Sequence, residues 1–454
     1  MNLTYGIKDK PPVGQTIVFA LQQLLAIMAA TIAVPAIVGN GMSQTAALFG
    51  AGVGTLVYLI FTKFKSPVFL GSSFAFLGSM FAAFAGAASA QVGYLGLVFG
   101  ALFAGLVYVV IALVVKAVGT RWIDKLMPAV VIGPTVAIIG LSLSGNAVGD
   151  LMGTTGAVAN GASTYVCMIC GLVTLAATML CSVFGKKFLK MIPFIIGILA
   201  GYIVATVFTV IGNATENPAL QIVNFGLFAN MTWVPDFTFL QAFKGFDGLT
   251  GSYIATVAVA YVPVAFVVFA EHIADHKNLS SIIGQDLLKD PGLDRTLLGD
   301  GIGSFAGAIF GGCPNTTYGE SVGCVAISGN ASVVTILYTA IMAIVISFFG
   351  PFATFLATIP SCVMGGVCIA LYGFIAVSGL KMIQKVDLND NKNLFVVSVI
   401  LIAGVGGMSV SFGKVTITEV ACALILGILT NVMLKNKEPE AEPATGKKSG
   451  KKSK

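Results

Sequence analysis

The sequence predicts an all-α polytopic membrane protein of fourteen spans, arranged as two inverted halves of seven. Three observations carry that prediction. The 454 residues are 57% hydrophobic and 10% charged, with a mean hydropathy of +0.95, far outside globular usage. No Asp, Glu, Lys, Arg or His occurs in residues 11–62, 66–115 or 321–380, and each run is long enough for two or three spans at ~20 residues per span. Glycine contributes 54 residues, well above the usual ~7%, as close helix packing and broken helices in a bilayer require. The same composition excludes a basic nucleic-acid-binding domain, a disulfide scaffold and a disordered chain. Residues 1–10 are polar and the first apolar run is long enough to span, so no cleaved signal peptide is expected.

With Gly, Pro and polar clusters as punctuation, spans are expected near 15–38, 44–62, 68–86, 93–115, 127–144, 163–184, 191–212, 250–275, 297–311, 313–328, 331–355, 361–380, 393–408 and 417–434. Those around Phe69, Gly303 and Tyr318 are too short and too glycine-rich for plain helices. Lys and Arg collect in short cytoplasmic loops, which tests the count. With the N-terminus inside, Lys8, Lys10, Lys63, Lys65, Lys116, Arg121, Lys125, Lys186, Lys187, Lys190, Lys277, Lys289, Arg295, Lys381, Lys385, Lys392 and the basic tail all fall on one side. Only Lys244 and Lys414 fall on the other, and dropping one early span scatters the split. Both termini are therefore expected to be cytoplasmic, with the chain threaded through the plasma membrane. Residues 435–454, rich in Pro, Glu, Gly, Ser and Lys, read as a disordered cytoplasmic extension.

An odd number of spans per half forces the halves to be inverted. Locally, Met127-Pro128-Ala129-Val130-Val131-Ile132-Gly133 resembles Ile359-Pro360-Ser361-Cys362-Val363-Met364-Gly365, at the fifth and twelfth spans. The third and tenth spans each carry a proline followed by a polar, glycine-containing stretch, from Pro67 to Phe74 and from Pro314 to Ser321. Unwound backbone is tolerated at membrane depth only where it lines a cavity, so these two stretches mark a midplane substrate site.

Two ionisable residues resist assignment to a loop or membrane edge. Glu320 lies in the tenth span, just before a charge-free run, and Glu271 closes the apolar run 248–270. An intramembrane carboxylate is paired, protonated or facing a wet cavity, and no Lys or Arg in these spans can pair it. A resting proton on at least one of them is the outline of a proton-coupling device. The polar set Asn315, Thr316, Thr317, Tyr318 and Glu320 offers no cation, which suits a small neutral ring with N–H donors better than an anion.

Other motifs read more simply. His272 and His276 stand at i and i+4, a spacing that can clamp zinc on a helix, and a membrane metallohydrolase is the rival reading from another class. The shell is incomplete, so neither a metal nor a cofactor is expected. Cys167 and Cys170 read as buried thiols in an apolar span, and the other cysteines show no cluster. Gly301, Gly303, Gly307 and Gly311 lack the strand-helix setting of a phosphate loop and read as a helix-packing surface.

The stretch Cys313-Pro314-Asn315-Thr316-Thr317-Tyr318-Gly319-Glu320-Ser321-Val322-Gly323 resembles the signature of the nucleobase:cation symporter-2 (nucleobase-ascorbate) family, and within it the bacterial uracil permeases. Leu70-Gly71-Ser72-Ser73-Phe74-Ala75-Phe76, Ala270-Glu271-His272, the run from Asp286 to Leu293, and Val363-Met364-Gly365-Gly366 are similar to it as well. The resemblance spans residues 11–434. It implies a core domain (11–117 and 250–358, spans 1–4 and 8–11) moving against a gate domain (118–249 and 359–434, spans 5–7 and 12–14). It also implies short antiparallel strands in spans 3 and 10, and homodimers formed through the gate domains. Carried over, Glu271 and Glu320 hydrogen-bond a pyrimidine, Phe74 packs on it, and backbone near Ala30, Ser73, Tyr318 and Gly319 completes the pocket. Tyr372 faces the site from the gate.

Two departures stand out. The family often has Gln-His in the first span, where this chain has Gln22-Gln23. The uracil permeases usually have His one turn after the eighth-span Glu, where this chain has Asp275. The expected function is import of uracil with a proton, Glu271, Asp275 and Glu320 being the coupling candidates, and a purine such as xanthine or hypoxanthine is the alternative substrate within the family.

Overall fold

The computed structural model describes residues 3–120, 122–123, 128–154, 161–186, 188–412 and 415–434. Arg121, Lys125, Lys187 and Lys414, Met127 of the repeated motif and the tail 435–454 lie outside the described residues. The chain folds as a mostly helical membrane protein.

The first half comprises α1 (Val13–Val38), α2 (Gln44–Phe61), β1 (Leu70–Ser72), α3 (Leu77–Ala85), α4 (Ala90–Val118), α5 (Ala129–Ser142), α6 (Ser144–Leu151), α7 (Thr164–Phe184) and α8 (Pro193–Ala214). The second comprises α9 (Gly251–Ile283), α10 (Leu293–Gly311), β2 (Asn315–Thr317), α11 (Gly319–Ser328), α12 (Val333–Ile346), α13 (Gly350–Thr358), α14 (Ser361–Ile383), α15 (Asn391–Val405), a hairpin of β3 (Val410–Phe412) and β4 (Val415–Ile417), and α16 (Glu419–Met433). Among the described residues, eight helical segments are long and apolar enough to cross a membrane: α1, α2, α4, α5 with α6, α7, α8, α9 and α14. The pair α12 and α13 adds a ninth if taken as one bent span.

Helix starts follow local chemistry. Ser43, Ser89 and Thr250 each lend a side-chain oxygen to a free backbone N–H, of Ala46, Val92 and Tyr253 respectively, as N-cap residues do. Pro128 and Pro360 occupy matching N-cap positions, with φ −69° and −65°, at the starts of α5 and α14. The two similar sequence motifs thus open two helices in the same way.

Three expectations need correction. The helix of the eighth span does not end near residue 275 but runs on to Ile283, and Glu271, which the sequence did not assign to an edge, is interior to it. The ninth segment is a plain continuous helix of 19 residues, despite its glycines. The eleventh span is not straight: α12 and α13 meet at 82°, since Pro351, in the first turn of α13, cannot continue a preceding helix.

Glycines decide how the helices meet. A Cβ on Gly50 would lie 2.3 Å from the Gly307 carbonyl oxygen, and one on Gly54 would lie 2.6 Å from that of Gly303, so α2 and α10 pack backbone to backbone. That contact explains the glycine run at 301–311. Around it α4 packs on α10 and α9, and α12 packs on α1 and α2. A second group forms where α14 packs on α5, α6 and α7, α8 on α7, and α15 on α5 and α16.

Candidate functional site

Two polar stretches cross inside the first group. β1 and β2 pair antiparallel, with Leu70 opposite Thr317, Gly71 opposite Thr316 and Ser72 opposite Asn315. Antiparallel strands in the third and tenth segments are therefore present where the resemblance implies them. Their outer backbone is satisfied by side chains, as burial demands. Leu70 N–H donates to Thr55 Oγ1 at 2.9 Å, Phe69 N–H donates to Ser321 Oγ at 3.1 Å, and Gln23 Nε2 donates to the same Ser321 hydroxyl. Asn315 Nδ2 donates to the Gly50 carbonyl at 3.0 Å, tying β2 to the close contact of α2 and α10.

Each strand leads into a short helix. Ser73, buried, donates its N–H to the Pro314 carbonyl at 2.9 Å, and Phe74 opens the turn before α3. The Phe74 ring meets that of Tyr372 on α14 edge to face, with centroids 5.7 Å apart. On the other strand, Tyr318 is buried and donates its hydroxyl to the Ser72 carbonyl at 2.7 Å. Its ring lies over Gly71, where a Cβ would come within 2.4 Å, so that strand position admits only glycine. Ala30 is buried on α1 beside Thr31, whose hydroxyl lies 3.5 Å from that of Tyr318. Gly319 is exposed, and Glu320 is half-buried in the first turn of α11, where the helix dipole favours a negative group.

Helix α9 supplies the facing wall. Glu271 and Asp275, one turn apart, are both half-buried. Asp275 accepts a 2.8 Å hydrogen bond from Thr317 Oγ1 at the end of β2, and its carboxylate comes within 3.8 Å of where a Cβ on Gly319 would stand. Glu271 is within electrostatic reach of Asp275, Glu320 and Asp300. Among the described residues, no Lys or Arg is ion-paired with any of these four acids. Asp275, Gly319 and Glu320 are thus brought together, as are Phe74 with Tyr372 and Tyr318 with the β1 backbone.

Asp300 is the acid the sequence reading passed over. It is fully buried on α10 and bonds His272 Nδ1 at 2.7 Å, while His272 Nε2 lies 3.0 Å from Thr296 Oγ1. His276 is buried too, its Nδ1 donating to the His272 carbonyl at 2.8 Å and its Nε2 lying 2.7 Å from the Tyr58 hydroxyl. Both imidazoles therefore point away from Glu271 and Asp275, into helix packing. The signal for Asp300 was present, because it falls inside the expected span 297–311.

Among the described residues no group of three or more His, Cys, Asp and Glu is arranged to hold a metal. Elemental analysis of purified protein should find well under one zinc per chain. The double change His272→Ala and His276→Ala should cost roughly 3 kcal/mol in stability, because it strips a buried partner from Asp300. Stoichiometric zinc lost in that double variant would revive the hydrolase reading.

The fold is that of a helical membrane transporter in which two interrupted segments meet through paired strands. The profile described as "Permease family" (Xan_ur_permease) matches residues 14–412. The chain is 39% identical over 448 residues to the uracil permease of Bacillus subtilis (strain 168), covering 97% of this chain and 98% of that one. It is 36% identical over 434 residues to the uracil permease of Escherichia coli (strain K12), covering 95% and 94%. Among solved structures, the transmembrane domain of a cyanobacterium bicarbonate transporter, BicA, has the same fold, with TM-score 0.64 at 17% identity over 94% of this chain and 99% of that one. The murine anion transporter Slc26a9 gives 0.63 at 12% identity, over 94% and 69%. The chain belongs to this permease family, the nucleobase:cation symporter-2 family its motifs resemble, whose members are transporters and not enzymes.

Proposed function

We propose that this protein imports uracil across the plasma membrane together with a proton, by an elevator-like movement of a core domain against a gate domain. The observation that carries the reading is the meeting of Asp275, Gly319 and Glu320 beside the crossing strands, in a chain 36–39% identical to uracil permeases. Glu271 and Glu320 accept the ring N–H groups, Phe74 and Tyr372 bracket the ring, and backbone at Ala30, Ser73, Tyr318 and Gly319 completes the pocket. The core comprises 11–117 and 250–358, and the gate 118–249 and 359–434. The two groups of packed helices support that division, except that residues 238–248, in the gate range, pack on α4. Fourteen segments in a seven-plus-seven inverted repeat, both termini cytoplasmic and a homodimer joined through the gates complete the reading. The matching proline caps of α5 and α14 support the repeat.

Proton coupling follows from the charge inventory. Four acids within electrostatic reach, with no Lys or Arg paired to them among the described residues, cannot all be ionised in a poorly hydrated site. Substrate arrival changes which of them holds the proton. Uptake of labelled uracil into energised vesicles, with imposed proton or sodium gradients and with xanthine as competitor, tests the reading. Accumulation driven by sodium alone, or stronger inhibition by xanthine than by unlabelled uracil, would replace it.

Asp275 stands where the uracil permeases usually have His. Asp275→Asn keeps an acceptor for Thr317 but removes the charge that Glu271 feels. Uracil binding should stay within about threefold, in keeping with a hydrogen bond kept, while proton-driven accumulation weakens and loses its pH dependence because the pair titrates as a unit. Asp275→His should transport with a shifted pH optimum. Wild-type accumulation and pH profile in Asp275→Asn would leave Glu271 as the only coupling group on α9.

A further inference from the structure

A cavity of about 790 Å³ lies between α1, α3, α6 and the start of α14. Pro35 to Val38, at the C-terminal end of α1, form part of its wall, so it lies at the far end of that helix from Lys8 and Lys10. Three segments that carry site residues run from this cavity toward the site. On α1 the wall residue is Pro35 and the site residue Ala30, on the β1–α3 segment they are Phe81 and Phe74, and on α14 they are Met364 and Tyr372. At ~1.5 Å per helical residue the Phe74–Tyr372 ring contact lies roughly 8–12 Å below the cavity wall.

The wall has a distinct charge pattern. Among the described residues that line it, Asp150 is the only ionisable one, while Ser43, Asn146, Thr354 and Ser361 are neutral and polar. Asp150 is also rigidly placed. A Cβ on Gly365 would lie 2.3 Å from the Leu151 nitrogen and 2.8 Å from the Asp150 carbonyl carbon, so α6 rests directly on the backbone of α14. The motif Val363-Met364-Gly365-Gly366 thus fixes the backbone of Asp150, a residue of the cavity wall. A fixed charge in a confined, partly apolar passage is felt more strongly than one on an open surface.

We propose that this cavity is the outer antechamber of the transport path and that Asp150 makes it a charge filter, passing neutral ring compounds and turning back anionic ones. The solutes it would sort are pyrimidines that differ only by a ring carboxylate. The inference rests on the transport reading for its direction, and it assigns selectivity to a residue outside the carboxylate-lined site.

The test uses full-length protein in right-side-out vesicles. Ser361→Cys places a thiol on the wall, against native cysteines that are buried apart from the half-buried Cys181. The rates of its modification by external cationic and anionic methanethiosulfonates are compared, each corrected by its rate with a free thiol. The cation should be favoured by about fivefold or more; Asp150→Asn should bring the ratio near one, and so should salt of about 1 M, where the Debye length is about 3 Å. In parallel, Asp150→Asn should keep uracil uptake within about twofold, while uptake of uracil-6-carboxylate relative to its 6-carboxamide rises about fivefold or more. A thiol unreactive from outside would remove the antechamber, and an unchanged cation-to-anion or carboxylate-to-carboxamide ratio would remove the filter. Equal loss of both solutes would make Asp150 structural. If the wild type proves not to take up uracil, the transport reading fails, while the thiol ratio still decides whether Asp150 sets the potential in this cavity.

Discussion

Glu320→Ala should abolish measurable uracil binding while leaving the protein folded and able to assemble. The carboxylate sits in the first turn of α11, directly after the strand that holds Asp275 through Thr317. Its neighbours Ser321 and Val322 are buried, and Ser321 ties that turn to Gln23 on α1 and to Phe69 just before β1, so truncating Glu320 removes a chemical group without loosening its support. A charge-assisted hydrogen bond to a ring N–H contributes about 1.5–3 kcal/mol, and the N–H that Glu320 accepts would be left without its acceptor while Glu271 still faces the ring. Isothermal titration of the purified variant should show affinity lower by roughly a hundredfold or more, the upper end of that range. Glu320→Gln keeps a carbonyl acceptor but points an amide donor at the ring, so a partial loss is expected. Near-normal binding by Glu320→Ala would take this residue out of the site.

Much of this architecture could be read from the chain because a bilayer makes composition informative. Charge-free runs gave α1, α2 and α4 almost to their ends, and the proline-bearing polar stretches marked both crossing strands. What escaped was decided by partners rather than by solvent. Past Glu271 the polar residues Asp275, His276 and Lys277 look like a loop, yet His276 is buried against Tyr58 and the helix continues for two more turns. Hydropathy registers what a side chain does in water, not that a histidine is matched by a hydroxyl and a carbonyl inside the fold. Asp300 was legible from its place inside the expected span 297–311, but the tertiary contact with His272 that makes an acid acceptable there was not. The bend between α12 and α13 could have been read from Gly350-Pro351, which interrupts an otherwise uniform apolar run.

The glycine surface of α10 carries the largest expected structural effect, and it reaches the site. A Cβ on Gly307 would stand 2.0 Å from Asn315 Nδ2 and 2.9 Å from the Gly50 carbonyl oxygen. Nothing there can yield cheaply, because one neighbour is backbone and the other is the side chain that ties β2 to that same carbonyl. Gly307→Val should therefore force α2 and α10 apart and break the Asn315 bond together. Overpacking at ~1–3 kcal/mol and a stranded buried amide at ~1–3 kcal/mol give a loss on the order of 4 kcal/mol. Since Asn315 pairs with Ser72 in the strand register and Thr317 holds Asp275, whatever protein survives should also lose uracil uptake. Gly323→Ala is the matched control, because a Cβ there meets nothing within 4 Å, and it should express and transport like the parent. Thermal unfolding in detergent and uptake in vesicles would measure both variants. Parental stability in Gly307→Val would mean that α2 and α10 are not packed through their backbones, and the anchoring of β2 would then need another source.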